Sequence, residues 1–226
     1  MRSDSIERAI MSDDELASLI GEEVEALKEH TEGPQPSNQD WPEPVKPEAL
    51  IGMAGEFVRM VEPHTEADPA AILLQFLVAF GVLIGRSAHF LVESDRHFGN
   101  LFAVLVGLTA KCRKGTSWAR VRDLIRLVCE RFFDERIVSG LASGEGLIWS
   151  VRDAIGEDPG ESDKRLLVVE PEFARVLMVS EREGNTLSAV IRQAWDEGIL
   201  RTLTKKQAAR STDNHIGIIG HITKTN

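Results

Sequence analysis

Between Gly107 and Ser117 the chain reads Gly-Leu-Thr-Ala-Lys-Cys-Arg-Lys-Gly-Thr-Ser, so glycine, cations and hydroxyls fall within one loop's length. The run follows an apolar stretch, Phe102 to Val106, and opens an amphipathic one. A polyphosphate is held by such an arrangement: backbone N–H groups and the positive end of a helix meet the anion, a lysine neutralises charge and a hydroxyl ligates Mg2+. Gly107, Lys111, Arg113, Lys114, Gly115, Thr116 and Ser117 are therefore the candidate phosphate-binding residues, with Thr116 the candidate metal ligand. The usual spelling G-x-x-x-x-G-K-[ST] would place its second glycine at Cys112 and its lysine at Arg113; only an insertion brings Lys114, Gly115 and Thr116 into those roles. The alternative is a basic turn that merely caps the following helix.

Three further positions carry chemistry. Glu170 ends the apolar run Arg165–Glu170, where a carboxylate at a strand tip can hold Mg2+ or polarise an attacking water; acids also mark the solvated ends of many strands. Glu145 lies between Gly144 and Gly146, placed either as a general base or as a first-turn acid behind a Ser143 cap. His221 and Thr223 end the last apolar run, where the histidine is read either as a sensor of the terminal phosphate or as a hydrogen-bonded surface residue.

The elements that must position these residues follow from patterning. Asp68-Pro69 starts a helix, the nearly all-apolar Ala70 to Ile84 continues it and Gly85 closes it. Ala88 to Glu93 reads as a strand that turns at His97 to Asn100 and returns as Leu101 to Val106, a run apolar enough for a central strand covered on both faces. Thr116 to Phe133 is one helix, Arg136 to Ser139 a short strand and Glu145 to Ile155 a helix. Arg165–Glu170 is a buried strand, a helical segment runs to Glu181, and Thr186 to Trp195 is a further helix. Leu200 to Thr204 and His215 to Thr223 are the last strands. Strands alternating with helices predict an α/β fold around a mainly parallel sheet, with a helical N-terminal portion.

Composition sets the outer bounds. Of 226 residues, 42% are hydrophobic and 27% charged, enough for one globular domain with an appended end. The net charge of -10 is uneven: the first 50 residues carry 13 acids against 4 bases, and the rest is almost neutral. Residues 1–44 read as an acidic arm and Pro-rich linker and 45–226 as the folded core, so charge does not exclude DNA. No signal-like N-terminus and no span of about 18 unbroken apolar residues is evident, which predicts a soluble, cytoplasmic protein with no membrane association. Cys112 and Cys129 read as reduced thiols.

Taken together, Gly107 to Ser117, Ser139 to Leu147, Leu167 to Ala174, Gly184 to Trp195 and Ile218 to Thr223 resemble a family of phage, plasmid and bacterial proteins. In that family a RecA-like P-loop ATPase core, similar to replicative hexameric helicases, often accompanies a primase-polymerase domain. The resemblance implies ATP and Mg2+ as cofactors, held by Lys114, Thr116 and Glu170, and catalytic roles for Glu145, Glu170 and His221. It also implies single-stranded DNA as partner, a hexamer-like homo-oligomer, and a core that is C-terminally truncated, because such a sheet continues beyond the sensor-like strand. A nucleotide- or partner-binding module that does not hydrolyse ATP is the competing expectation.

Overall fold

The computed structural model describes residues 43–107, 113–196, 198–202 and 210–224. The chain divides into Met1–Glu43 and Pro44–Asn226, and the fold described below belongs to the second unit.

The second unit opens with helix α1 (Gly52–Val61) and the core helix α2 (Pro69–Ile84). Asp68 caps α2 by accepting from the Ala70 N–H at 2.8 Å, and Gly85 ends it with a φ of 65°. Two short strands, β1 (His89–Val92) and β2 (Asp95–Phe98), pair antiparallel as a separate hairpin. Then come β3 (Phe102–Gly107), α3 (Lys114–Val128), α4 (Glu130–Arg136), β4 (Ile137–Val138), α5 (Gly144–Trp149) and β5 (Arg165–Glu170). The chain continues through α6 (Phe173–Ser180), α7 (Leu187–Asp196), the small hairpin β6 (Leu200–Arg201) with β7 (Arg210–Ser211), and β8 (His215–Thr223).

Four strands form the main sheet in the order β3-β8-β5-β4, all parallel, and helices cover both of its faces. The expected α/β class with a parallel sheet is what the structure has. Alternation along the strands sorts the core into two layers. Leu167, Val169 and Ile219 pack with α1, α2, α3 and α4, on what is here called the first face. Leu166, Val168, Ile216 and Ile218 pack with α5, α6 and α7 on the second. Both layers press closely on β8. A β-carbon at Gly217 would lie 2.3 Å from Val82, and one at Gly220 would lie 2.6 Å from the Phe173 ring, so both positions exclude any larger side chain.

Several expectations are corrected. The strand after Ala88 turns at Glu93 and Ser94 and returns as β2, so β3 is not its hairpin partner. Nor is β3 central: it lies at the sheet's edge, with Val104 and Val106 on its uncovered side at 43% and 55% exposure. An unbroken apolar run therefore did not mean burial on both faces. The helix expected over Thr116 to Phe133 breaks at Cys129 into α3 and α4, and the one expected over Glu145 to Ile155 stops at Trp149. The strand expected at Leu200 to Thr204 shrinks to β6, outside the main sheet. Finally, Pro69–Ser87 is long and apolar enough, by length and composition, to cross a membrane, although Gln75 and Arg86 interrupt its apolar run. In this fold it is a core helix, with Ile72, Val78 and Val82 fully buried against α3 and the sheet.

Candidate functional site

In open parallel sheets, ligands sit beyond the carboxyl ends of the strands, where neighbouring connections leave to opposite faces. Here the chain leaves β3 for α3 on the first face and leaves β5 for α6 on the second, with β8 wedged between the two strands. The tip of β8 therefore marks the crevice. Its register places Thr223 opposite Gly107 of β3, and Gly220 opposite Glu170 of β5.

The helix beside that crevice is α3, whose first residue is Lys114. Arg113 just before it adopts a left-handed conformation, φ 51° and ψ 28°, which is uncommon for a side chain of this size. Its carbonyl accepts from the N–H groups of Thr116 and Ser117 at 2.9 and 3.0 Å, and its guanidinium pairs with exposed Glu66. No acid occupies the first turn, so the positive end of the helix is undiminished by its own side chains. Thr116 is exposed there, and among the described residues nothing lies within 4 Å of a β-carbon built at Gly115. Gly107 ends β3, its carbonyl accepting from the Lys224 N–H at 2.9 Å. Lys111, with the rest of 108–112, lies outside the described residues.

Inward from this turn runs a chain of hydrogen bonds that the backbone of β8 closes into a circuit. Lys114 Nζ donates to Thr223 Oγ1 at 3.4 Å, a long contact, and the Lys114 carbonyl accepts from Ser117 Oγ at 2.8 Å. Ser117 Oγ in turn accepts from Gln75 Nε2 at 2.7 Å, and the same amide nitrogen donates to the Ala71 carbonyl at 2.9 Å. With both of its N–H bonds committed, Gln75 presents Oε1 to His221 Nε2 at 2.9 Å, which assigns the imidazole proton to Nε2. His221 and Thr223, two residues apart on β8, share the first face and complete the loop. Burial, together with the nearby charge of Lys114, pushes the pKa of His221 down to about 4, so the ring is neutral at pH 7.

Glu170 and Glu145 sit on the other side of the sheet. Glu170 follows Leu166 and Val168 in the alternation, so its side chain joins the second face. It is buried, and Oε1 accepts from the N–H groups of Gly140 and Leu141, each at 2.5 Å, while Oε2 pairs with Arg175 at 3.3 Å. The carboxylate pins the loop after β4. Glu145 occupies the first turn of α5 behind Ser143, whose hydroxyl accepts from the Gly146 N–H. Its exposed carboxylate accepts from Thr186 Oγ1 at 3.0 Å, so the bland alternative for this position describes its contacts.

The structure thus joins Lys114, through its carbonyl, to Ser117 and on through Gln75 to His221, and sets Glu145 and Glu170 apart from them. Ser117 turns inward, away from a phosphate-binding role for its hydroxyl. Two residues escaped the sequence reading. Gln75 is the one polar side chain in the run Pro69–Ile84, a signal that was visible; Arg175 had none beyond its distance of five residues from Glu170. Phosphate fits the open first turn of α3 beside Lys114. For Mg2+ the hydroxyl of Thr116 fits, but both oxygens of Glu170 are already engaged in this arrangement. No group of three or more His, Cys, Asp or Glu side chains is assembled to hold a metal among the described residues.

No family model, curated protein or solved structure matches the chain.

Proposed function

We propose that the chain binds a nucleoside triphosphate, with its phosphates at the N-terminus of α3 and Lys114 as the neutralising cation. The observation that carries this reading is the position of Lys114: first residue of a 15-residue helix that follows a parallel strand, its Nζ shared with Thr223 at the neighbouring strand tip. No described residue stands over Gly115 to keep an anion from the backbone, and the helix end favours it. Thr116 supplies a hydroxyl for the Mg2+ that accompanies the nucleotide.

The wider reading, a RecA-like ATPase of the replicative-helicase type acting on single-stranded DNA as a homo-oligomer, rests on the sequence resemblance. The strand order supports it only in placing β8, with His221, beside the strand that precedes the phosphate helix. Turnover of Mg2+-ATP measured with and without single-stranded DNA tests it: stimulation that disappears in Lys114→Ala is expected. ATP binding with no turnover under either condition would contradict it and favour the second reading, a module that binds without hydrolysing. One observation favours that second reading directly. Glu170, the carboxylate expected to hold metal or polarise water, is occupied by the Gly140 and Leu141 amides and Arg175.

A further inference from the structure

We infer that Gln75 is a positioning residue that couples the first turn of α3 to the tip of β8, so that events at Lys114 are registered at His221. The inference rests on the phosphate site proposed above, and it concerns how that site is read. Its basis is the closed circuit itself. Three elements distant in sequence, α2, α3 and β8, are joined by one carboxamide whose donor and acceptor ends point in opposite directions along the path.

Gln75 is fully buried within an otherwise apolar helix, where an unsatisfied amide is costly and where an apolar side chain would strip the buried Ser117 and His221 of a hydrogen bond each. A carboxamide here is useful because it offers a donor to Ser117 and an acceptor to His221 at once. Ser117 is tied to Lys114 through the 2.8 Å bond to the Lys114 carbonyl, so a displacement of the first turn changes what Ser117 offers to Gln75. Lys114 is itself held to Thr223 only by a 3.4 Å contact, the weakest link of the circuit. An anion at the helix end competes for that lysine, and withdrawing it opens the circuit at Thr223 while moving the turn that carries Ser117. Through Gln75 that displacement reaches His221 as a change in the hydrogen bond that fixes its tautomer. A network in which each bond polarises the next transmits such a change better than apolar packing does.

The test is the imidazole 15N signal of His221 in the full chain, followed with inorganic pyrophosphate as the probe. In the wild type the Nε2 signal is that of a protonated, hydrogen-bonded nitrogen and moves on addition of pyrophosphate. In Gln75→Met, which keeps the length and removes both polar ends, pyrophosphate still binds and the movement is lost. If the signal moves by the same amount in Gln75→Met, the coupling runs through space and the inference is wrong. A ligand-free arm separates this from the phosphate site: Ser117→Ala is expected to shift the His221 Nε2 signal with Gln75 in place and to leave it unmoved in the Gln75→Met background. Should pyrophosphate fail to bind the wild type, the proposed function falls, and the ligand-free arm alone decides the coupling. Should Gln75→Met fail to fold, Ser117→Ala decides by itself, since an unmoved His221 signal overturns the inference.

Discussion

His221 donates its Nε2–H to the carboxamide oxygen of Gln75 across 2.9 Å, although 146 positions separate the two residues in the chain. The bond holds a neutral imidazole in a buried position beside a lysine, and this has a consequence for stability. The folded-state pKa of His221 is about 4 against an ordinary 6.5. Between those values the unfolded chain binds a proton that the folded one does not, so stability falls as pH drops through that window. The loss approaches about 3 kcal/mol at its lower end. His215, also held low chiefly by burial, acts in the same direction. Denaturant unfolding at pH 7, 6, 5 and 4 should therefore show a steeper decline for the wild type than for His221→Gln, which can still donate to Gln75 but does not titrate.

Glu170 should behave as a structural clamp. Glu170→Ala leaves the Gly140 and Leu141 amides without their acceptor, a loss of about 2–4 kcal/mol for bonds to a charged group. Glu170→Gln keeps one acceptor oxygen and should lose about half as much; the forfeited pair with half-exposed Arg175 adds little. Thermal unfolding checks both. An unchanged melting temperature in Glu170→Ala would show that the carboxylate is not pinning this loop.

Gly115 separates helix stability from ligand approach. No described residue lies within 4 Å of its missing β-carbon, so Gly115→Ala clashes with none of them and should stabilise α3 by up to about 1 kcal/mol. The same methyl group stands where an anion would approach the backbone. The expected pair of results is a melting temperature equal to or above that of the wild type, and pyrophosphate affinity reduced at least about tenfold, or ~1.4 kcal/mol.

The strands Arg165–Glu170 and His215–Thr223 were legible to the residue, because both lie inside the sheet and their apolar runs reflect burial on two faces. The cap at Asp68 and the stop at Gly85 were legible for local reasons, since each depends on its own backbone geometry. Phe102–Gly107 shows where local reading fails: whether Val104 and Val106 are covered depends on which elements lie beyond that edge, and no pattern within the run encodes it. The site was half legible. Lys114 and His221 stand out by their places at a helix start and a strand end, and they do meet through one network. Their opposite-face counterparts could not be told from them, because alternation fixes the face only once the strand's register with its neighbours is known. Gln75 was visible as a lone polar residue in an apolar helix, yet its partners Ser117 and His221 lie 42 and 146 positions away.

Phosphate binding at the start of α3 is tested most directly by isothermal titration of Mg2+-ATP into the wild type and Lys114→Ala. Lys114 is half-buried, and among the described residues its ammonium makes one long contact, with Thr223, so its removal should leave the fold intact, as circular dichroism would verify. The account predicts saturable binding to the wild type and an affinity at least about tenfold weaker, or ~1.4 kcal/mol, in Lys114→Ala. Equal affinity in the two proteins, or no heat of binding in either, would contradict it.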